Sequence, residues 1–227
     1  VIEELLPDTV VCVEALGDDG TEPVPLYPEE EALVARAVDK RRREFALVRG
    51  CARRAMEKLA VPAQPVLPGE RGAPHWPAGL VGSMTHCDGY GAAALARAAD
   101  LASLGIDAEP HAALPEGVLE AVALPGEQDR LRRLDAERPD VRWDRLLFSA
   151  KESVYKAWFP LTRKWLDFSE ADIDLTAETG DGPPHGRFRA ALLVPGPVVD
   201  GTRLDAFEGR WTVQHGLLAT AVTVPHA

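Results

Sequence analysis

Long apolar runs are missing from this chain of 227 residues. None approaches the roughly 18 consecutive apolar residues that a membrane span requires. The opening segment, Val1-Ile-Glu-Glu-Leu5, is acidic and lacks the basic and apolar regions of a signal peptide, so no membrane association and a cytoplasmic location are expected. Cysteine is scarce. Cys12, Cys51 and Cys87 are odd in number and scattered, which argues against a disulfide framework or a spaced metal-thiolate set; free thiols are expected. Lysine is rare beside arginine, and Ala, Gly and Pro are frequent, a pattern of high-GC bacterial coding. No P-loop Gly-x-x-x-x-Gly-Lys-(Ser/Thr) occurs, which removes the commonest form of a nucleotide hydrolase.

What is present begins with charge. The formal net charge of −11 argues against nucleic acid as a partner. Its distribution is uneven: from Arg36 to Lys58 nine basic residues stand against three acids. Leu33, Val34, Ala37, Val38, Phe45, Val48, Ala52, Met56 and Leu59 approximate a helical stripe through the same segment. The spacing predicts an amphipathic helix with a basic outer face. Most of those arginines need be no more than a solvated face, but arginine forks also suit phosphate groups.

Two short stretches carry the chemistry. Gly105-Ile-Asp-Ala-Glu109 ends an apolar run with acids at i and i+2, which an extended strand points to one face. Phe148-Ser-Ala-Lys-Glu-Ser-Val-Tyr-Lys-Ala157 reads as a helix, with Glu152 and Lys156 at i and i+4 on one side. Three carboxylates and an ammonium suit a hard divalent cation on a phosphate substrate. Taken singly, a strand-end acid pair is more often solvated or paired with arginine. Glu152 and Lys156 alone would be a surface pair worth a few tenths of a kcal/mol.

The surrounding text resembles the Sfp/EntD-type 4′-phosphopantetheinyl transferase superfamily, nearest its actinobacterial PptT-like group. Gly-Ile-Asp-x-Glu is followed about forty residues later by Lys-Glu-Ser-x-x-Lys-Ala. Gly82-Ser-Met-Thr-His86 is similar to the family's Gly-Ser-x-(Ser/Thr)-His segment, and Gly69-Glu-Arg-Gly-Ala-Pro-His-Trp-Pro77 to its substrate loop. Trp143-Asp-Arg-Leu-Leu-Phe148 and Trp158-Phe-Pro-Leu-Thr162 match the flanks of the Lys-Glu helix. The ordered set spans residues 33 to 168.

This resemblance implies transfer of the 4′-phosphopantetheine arm of coenzyme A to a serine of apo acyl- or peptidyl-carrier proteins, by a monomeric enzyme using magnesium or manganese. It implies metal ligation by Asp107, Glu109 and Glu152, and catalysis by Glu152 and Lys156. Arg41, Arg49, Arg71, Ser83, Thr85, His86, Lys151 and Lys156 become candidate contacts for coenzyme A. Pro68 departs from the pattern, standing where a lysine would be expected. Trp158, Phe159 and Trp165 are expected in packing. Two alternatives stay open: a non-catalytic coenzyme A or nucleotide-binding module, and another magnesium-dependent phosphate enzyme.

The pattern of helices and strands predicts an α+β fold. By resemblance it comprises two similar subdomains related by a pseudo-twofold, each a long helix on a small antiparallel sheet, residues 1–100 and 101–227. Pro23 to Pro28 reads as a lead-in to the first helix. Strands are expected at Leu80 to Met84, Tyr90 to Ala96 and Leu101 to Ala108, with a turn at Thr85 to Gly89. Leu114 to Leu124 is expected as a helix, and Gly126 to Asp140 as a charged helix or connector. A long helix should run from Asp144 and stop before Pro160. His215-Gly216 marks a tight hairpin turn.

Overall fold

A computed structural model describes residues 1–16 and 24–227; Pro23 of the expected lead-in lies outside the described residues. In chain order the elements are β1 (Val11–Leu16), α1 (Pro28–Leu33), α2 (Asp39–Lys58), β2 (Leu67–Pro68), β3 (Pro74–His75), β4 (Leu80–Cys87), β5 (Tyr90–Arg97) and β6 (Ser103–Pro110). Three helices follow, α3 (Val118–Val122), α4 (Pro125–Glu137) and α5 (Trp143–Thr162). The remaining strands are β7 (Ala171–Ala177), β8 (His185–Leu192), β9 (Val198–Val199), β10 (Thr202–Arg203), β11 (Ala206–Gln214) and β12 (Leu217–Val224).

The main strands form two antiparallel sheets, in the orders β1-β5-β4 and β6-β12-β11-β8-β7. Each carries one long helix, giving the α+β architecture. Cys51, Ala52, Ala55 and Met56 of α2 pack on Val13, Ala93 and Leu95. Leu146, Leu147, Ala150, Val154, Ala157 and Trp158 of α5 fill the core of the larger sheet. Strand β5 is apolar from Tyr90 to Ala96, and both of its faces are covered. Ala93 and Leu95 face α2, whereas Ala92, Ala94 and Ala96 join Leu104, Ile106 and Ala108 of β6 in a cluster shared by the two sheets.

Several local expectations give way to tertiary structure. The apolar stripe from Leu33 is not one helix: the chain turns between residues 34 and 38, and Val38 precedes α2 as an exposed residue. Strand β4 runs on to Cys87, so the turn shrinks to Asp88-Gly89 and both Thr85 and His86 lie in the strand. Between Leu114 and Leu124 only Val118–Val122 is helical, since Pro115 and the left-handed Gly117 precede it. Helix α5 passes through Pro160 to Thr162. Its last turn is held by buried Trp158 and Phe159, and it ends where Arg163 turns left-handed and donates its N–H to the Phe159 carbonyl. The β11–β12 hairpin turns at His215 and Gly216, both at positive φ, as a two-residue turn of this hand requires. No helix among the described residues is long and apolar enough to cross a membrane.

Candidate active site

The two long helices face each other across a cavity of about 1080 Å³. Lys40, Arg41, Glu44, Phe45, Val48 and Arg49 of α2 form one wall. Glu152, Tyr155, Lys156, Phe159 and Arg163 form the other, at the i, i+3, i+4, i+7 spacing of one helical face. The loop from Gly69 to Trp76 and strand β4 complete the lining.

Three devices on β4, β6 and α5 close the seam beside it. Strand β6 is the edge of its sheet, and its outward N–H groups find hydroxyl partners on β4. Ile106 donates to Ser83 Oγ and Ala108 to Thr85 Oγ1, each at 3.0 Å. Gly105 lets α5 lie directly on β6, because a Cβ there would overlap the Ser153 carbonyl oxygen. Lys156 then joins the two sheets, donating to Ile106 O at 2.8 Å, Met84 O at 3.3 Å and Asp107 Oδ1 at 3.2 Å.

The acids form an electrostatic cluster. Asp107 and Glu109 project from one face of β6, as their spacing predicts, and Glu152 comes from α5. Burial raises the proton affinity of all three, and Asp107 raises that of its two neighbours further, lifting Glu109 to about 7. Lys156 opposes the effect at Asp107 without cancelling it. Oδ2 of Asp107 is buried and has no hydrogen-bond partner.

The basic wall is equally specific. Arg49 is nearly buried, lies over the Phe45 ring at 4.1 Å and donates through Nε to Val66 O at 3.1 Å. His86 is exposed to the cavity, its Nε2 3.8 Å from Glu44. Lys40 bridges to Asp88 at 3.1 Å. Arg71 adopts a left-handed conformation in the loop and holds its guanidinium 5.8 Å from the Trp165 ring.

Residues 29–96 match the 4′-phosphopantetheinyl transferase N-terminal domain, and residues 103–187 match the 4′-phosphopantetheinyl transferase superfamily. The 4′-phosphopantetheinyl transferase Svp of Streptomyces mobaraensis is 59% identical over 225 residues, covering 99% of this chain and 89% of that protein. Npt of Nocardia iowensis is 49% identical over 98% of this chain and 99% of its own, and PptT of Mycobacterium tuberculosis 46% over 99% and 98%. The chain belongs to the 4′-phosphopantetheinyl transferase family.

Within this phosphopantetheinyl transferase, the cavity gathers Arg41, Arg49, Arg71, Ser83, Thr85, His86, Glu152 and Lys156. Lys151 is the exception and corrects the sequence reading. It faces the core, where its ammonium is used up by Glu127 at 2.7 Å and the carbonyls of Phe168 and Ala171. Helical geometry explains this, since position 151 is turned about 100° from Glu152. Trp165, expected in core or interface packing, is 56% exposed, with its ring 5.2 Å from that of Tyr155.

Asp107 and Glu109 lie off the cavity wall, with Lys156 joining Asp107 to it. Among the described residues no three His, Cys, Asp or Glu side chains converge as a metal cluster, so the expected three-carboxylate set is not closed in this structure. Its chemistry nevertheless fits a hard cation: three coupled carboxylates of raised proton affinity and one orphaned buried oxygen. Sequence reasoning missed Tyr155 and Phe45 on the walls. The i+3 step from Glu152 is a signal that would have found Tyr155.

Proposed function

We propose that this enzyme transfers the 4′-phosphopantetheine arm of coenzyme A to a serine of apo acyl- or peptidyl-carrier proteins, releasing 3′,5′-ADP. It acts in the cytoplasm as a monomer and uses magnesium or manganese. The observation that carries this reading is the cavity between α2 and α5, with Arg41, Arg49 and His86 opposite Glu152 and Lys156. The half up to residue 100 binds the coenzyme; the half from 101 carries the reacting groups.

Arg41, Arg49, Arg71 and His86 offer donors to the 3′-phosphate and pyrophosphate. Asp107, Glu109 and Glu152 would hold the divalent ion, which neutralises pyrophosphate charge when bound. Burial raises the proton affinity of the Glu152 carboxylate, which in its ionised form accepts the serine proton as the serine oxygen attacks the β-phosphorus. The bond from that phosphorus to the bridging oxygen breaks, and the Lys156 ammonium stabilises the negative charge left on 3′,5′-ADP. Encounter with an acidic carrier relies on the basic outer face of α2, because the whole protein is acidic. Affinity for the carrier is therefore modest and falls with salt.

Intact-mass measurement of apo carrier proteins of fatty-acid, polyketide and nonribosomal-peptide type tests the reaction. With coenzyme A and magnesium the carrier gains one phosphopantetheine mass and an equivalent of 3′,5′-ADP appears. A chelator abolishes both. No gain on any carrier class would overturn the reading.

A further inference from the structure

Glu30 is an acid where none is expected: it is fully buried, yet no catalytic pattern includes it. It sits in α1, outside the cavity lining. Its Oε1 accepts from Tyr27 N at 3.1 Å, which caps α1, and from Arg53 at 2.8 Å. Oε2 accepts from Val66 N at 3.1 Å and stands 3.8 Å from Arg49 Nε. The same Val66 accepts the Arg49 Nε–H through its carbonyl. One carboxylate thus anchors the residue whose carbonyl orients Arg49 and supplies the counter-charge beside it.

We propose that Glu30 is a positioning residue that aims Arg49 into the coenzyme cavity. The inference rests on the reading of Arg49 as a contact for a coenzyme A phosphate. Two features make the device effective. Arg49 is largely desolvated, which weakens its charged form, and the nearby Glu30 carboxylate opposes that loss. Phe45 and Val66 then restrain one side of the guanidinium, and Nη1 meets Met84 Sδ at 3.7 Å on the cavity wall. A pre-aimed fork loses less freedom when phosphate binds than a free arginine would. Arg53 is the natural control, because it shares the Glu30 carboxylate but is not on the cavity wall.

The test compares Glu30→Gln, Arg53→Gln and Arg49→Ala in arm transfer to an apo carrier, with melting temperatures measured alongside. Glu30→Gln is expected to raise the KM for coenzyme A about five- to tenfold with kcat within about twofold, the pattern of lost ground-state binding. Arg53→Gln should lower the melting temperature similarly but leave the KM unchanged, because Val66 and Arg49 keep their partner. In an Arg49→Ala background, Glu30→Gln should add nothing to the KM. Where Glu30→Gln alone fails to fold, the double variant Glu30→Gln, Arg53→Met removes both buried charges and should show the same KM rise. An Arg49→Ala effect with no Glu30→Gln effect would overturn the positioning role. Equal KM rises in Glu30→Gln and Arg53→Gln would reduce Glu30 to a structural residue. An unchanged KM in Arg49→Ala would overturn the reading beneath it.

Discussion

Lys156 and Asp107 form an ion pair at 3.2 Å across the α5–β6 contact, and the two ends of the pair are unequal. The lysine is partly exposed and also bonds two carbonyls, one from each sheet. The aspartate is buried, with one oxygen unpartnered. The same ammonium that would meet the departing phosphate therefore holds the seam together in the free enzyme.

That inequality predicts asymmetric costs. Lys156→Met strands a buried carboxylate and should destabilise the fold by about 3 kcal/mol at pH 8. Asp107→Asn leaves Lys156 its carbonyl partners and water, and should cost about 1 kcal/mol. The double variant should be more stable than the two losses added together. Urea unfolding measures all three; equal single losses would contradict the geometry.

The acid cluster sets a pH dependence. Glu109 binds its proton up to about pH 7 in the folded chain against an ordinary value of 4.5, and Asp107 and Glu152 shift the same way. Between those values the folded state holds more protons than the unfolded one. These groups therefore favour the fold at the acid end, and that contribution falls as pH rises through 7. Melting temperatures from pH 5.5 to 8 should show a slope that Glu109→Gln flattens. Magnesium should raise the melting temperature more at pH 8 than at pH 6, because its ligands must be deprotonated. Identical slopes in wild type and Glu109→Gln would remove Glu109 from the cluster.

Thr85→Val removes the partner of the Ala108 N–H at the seam. It should cost about 1–3 kcal/mol of stability, the price of one buried unpaired group. Turnover per folded molecule should change little, because the Thr85 hydroxyl already serves β6. A large loss of coenzyme A affinity with unchanged stability would instead make it a ligand contact.

Gly105→Ala places a Cβ against the Ser153 carbonyl and 2.9 Å from the Ala157 nitrogen. Backbone cannot yield as a flexible side chain does, so α5 must lift from β6. A destabilisation of about 3 kcal/mol is expected, together with reduced turnover as Lys156 leaves Asp107. Calorimetry alongside kinetics checks both, and a neutral substitution would refute the close approach.

The parts legible in the sequence were those with local periods. Asp107 and Glu109 alternate on a strand, Glu152 and Lys156 recur on a helix, and His215-Gly216 signals its turn. The long helices and their antiparallel sheets followed from such patterns. What stayed hidden was set by partners distant in sequence. Nothing local distinguishes Glu30 from its neighbours Glu29 and Glu31; its partners Arg53 and Val66 stand 23 and 36 residues away. Lys151 gave no sign that Glu127 would draw it into the core. Thr85 and His86 read as a turn because a glycine follows, yet pairing with β5 carries the strand through them. Pro160 signalled a stop that the burial of Trp158 and Phe159 overrides.

The central claim, that one wall of the cavity binds coenzyme A while the other does the chemistry, has a direct measurement. It is the coenzyme A concentration dependence of arm transfer, determined side by side for Arg49→Ala and Glu152→Gln. Arg49→Ala should raise KM about ten- to a hundredfold with kcat nearly unchanged, the loss of one charge-assisted phosphate contact. Glu152→Gln should lower kcat at least about a hundredfold, the scale of a general base, with KM nearly unchanged. Wild-type kinetics in both variants, or the two effects exchanged, would contradict the division of the cavity.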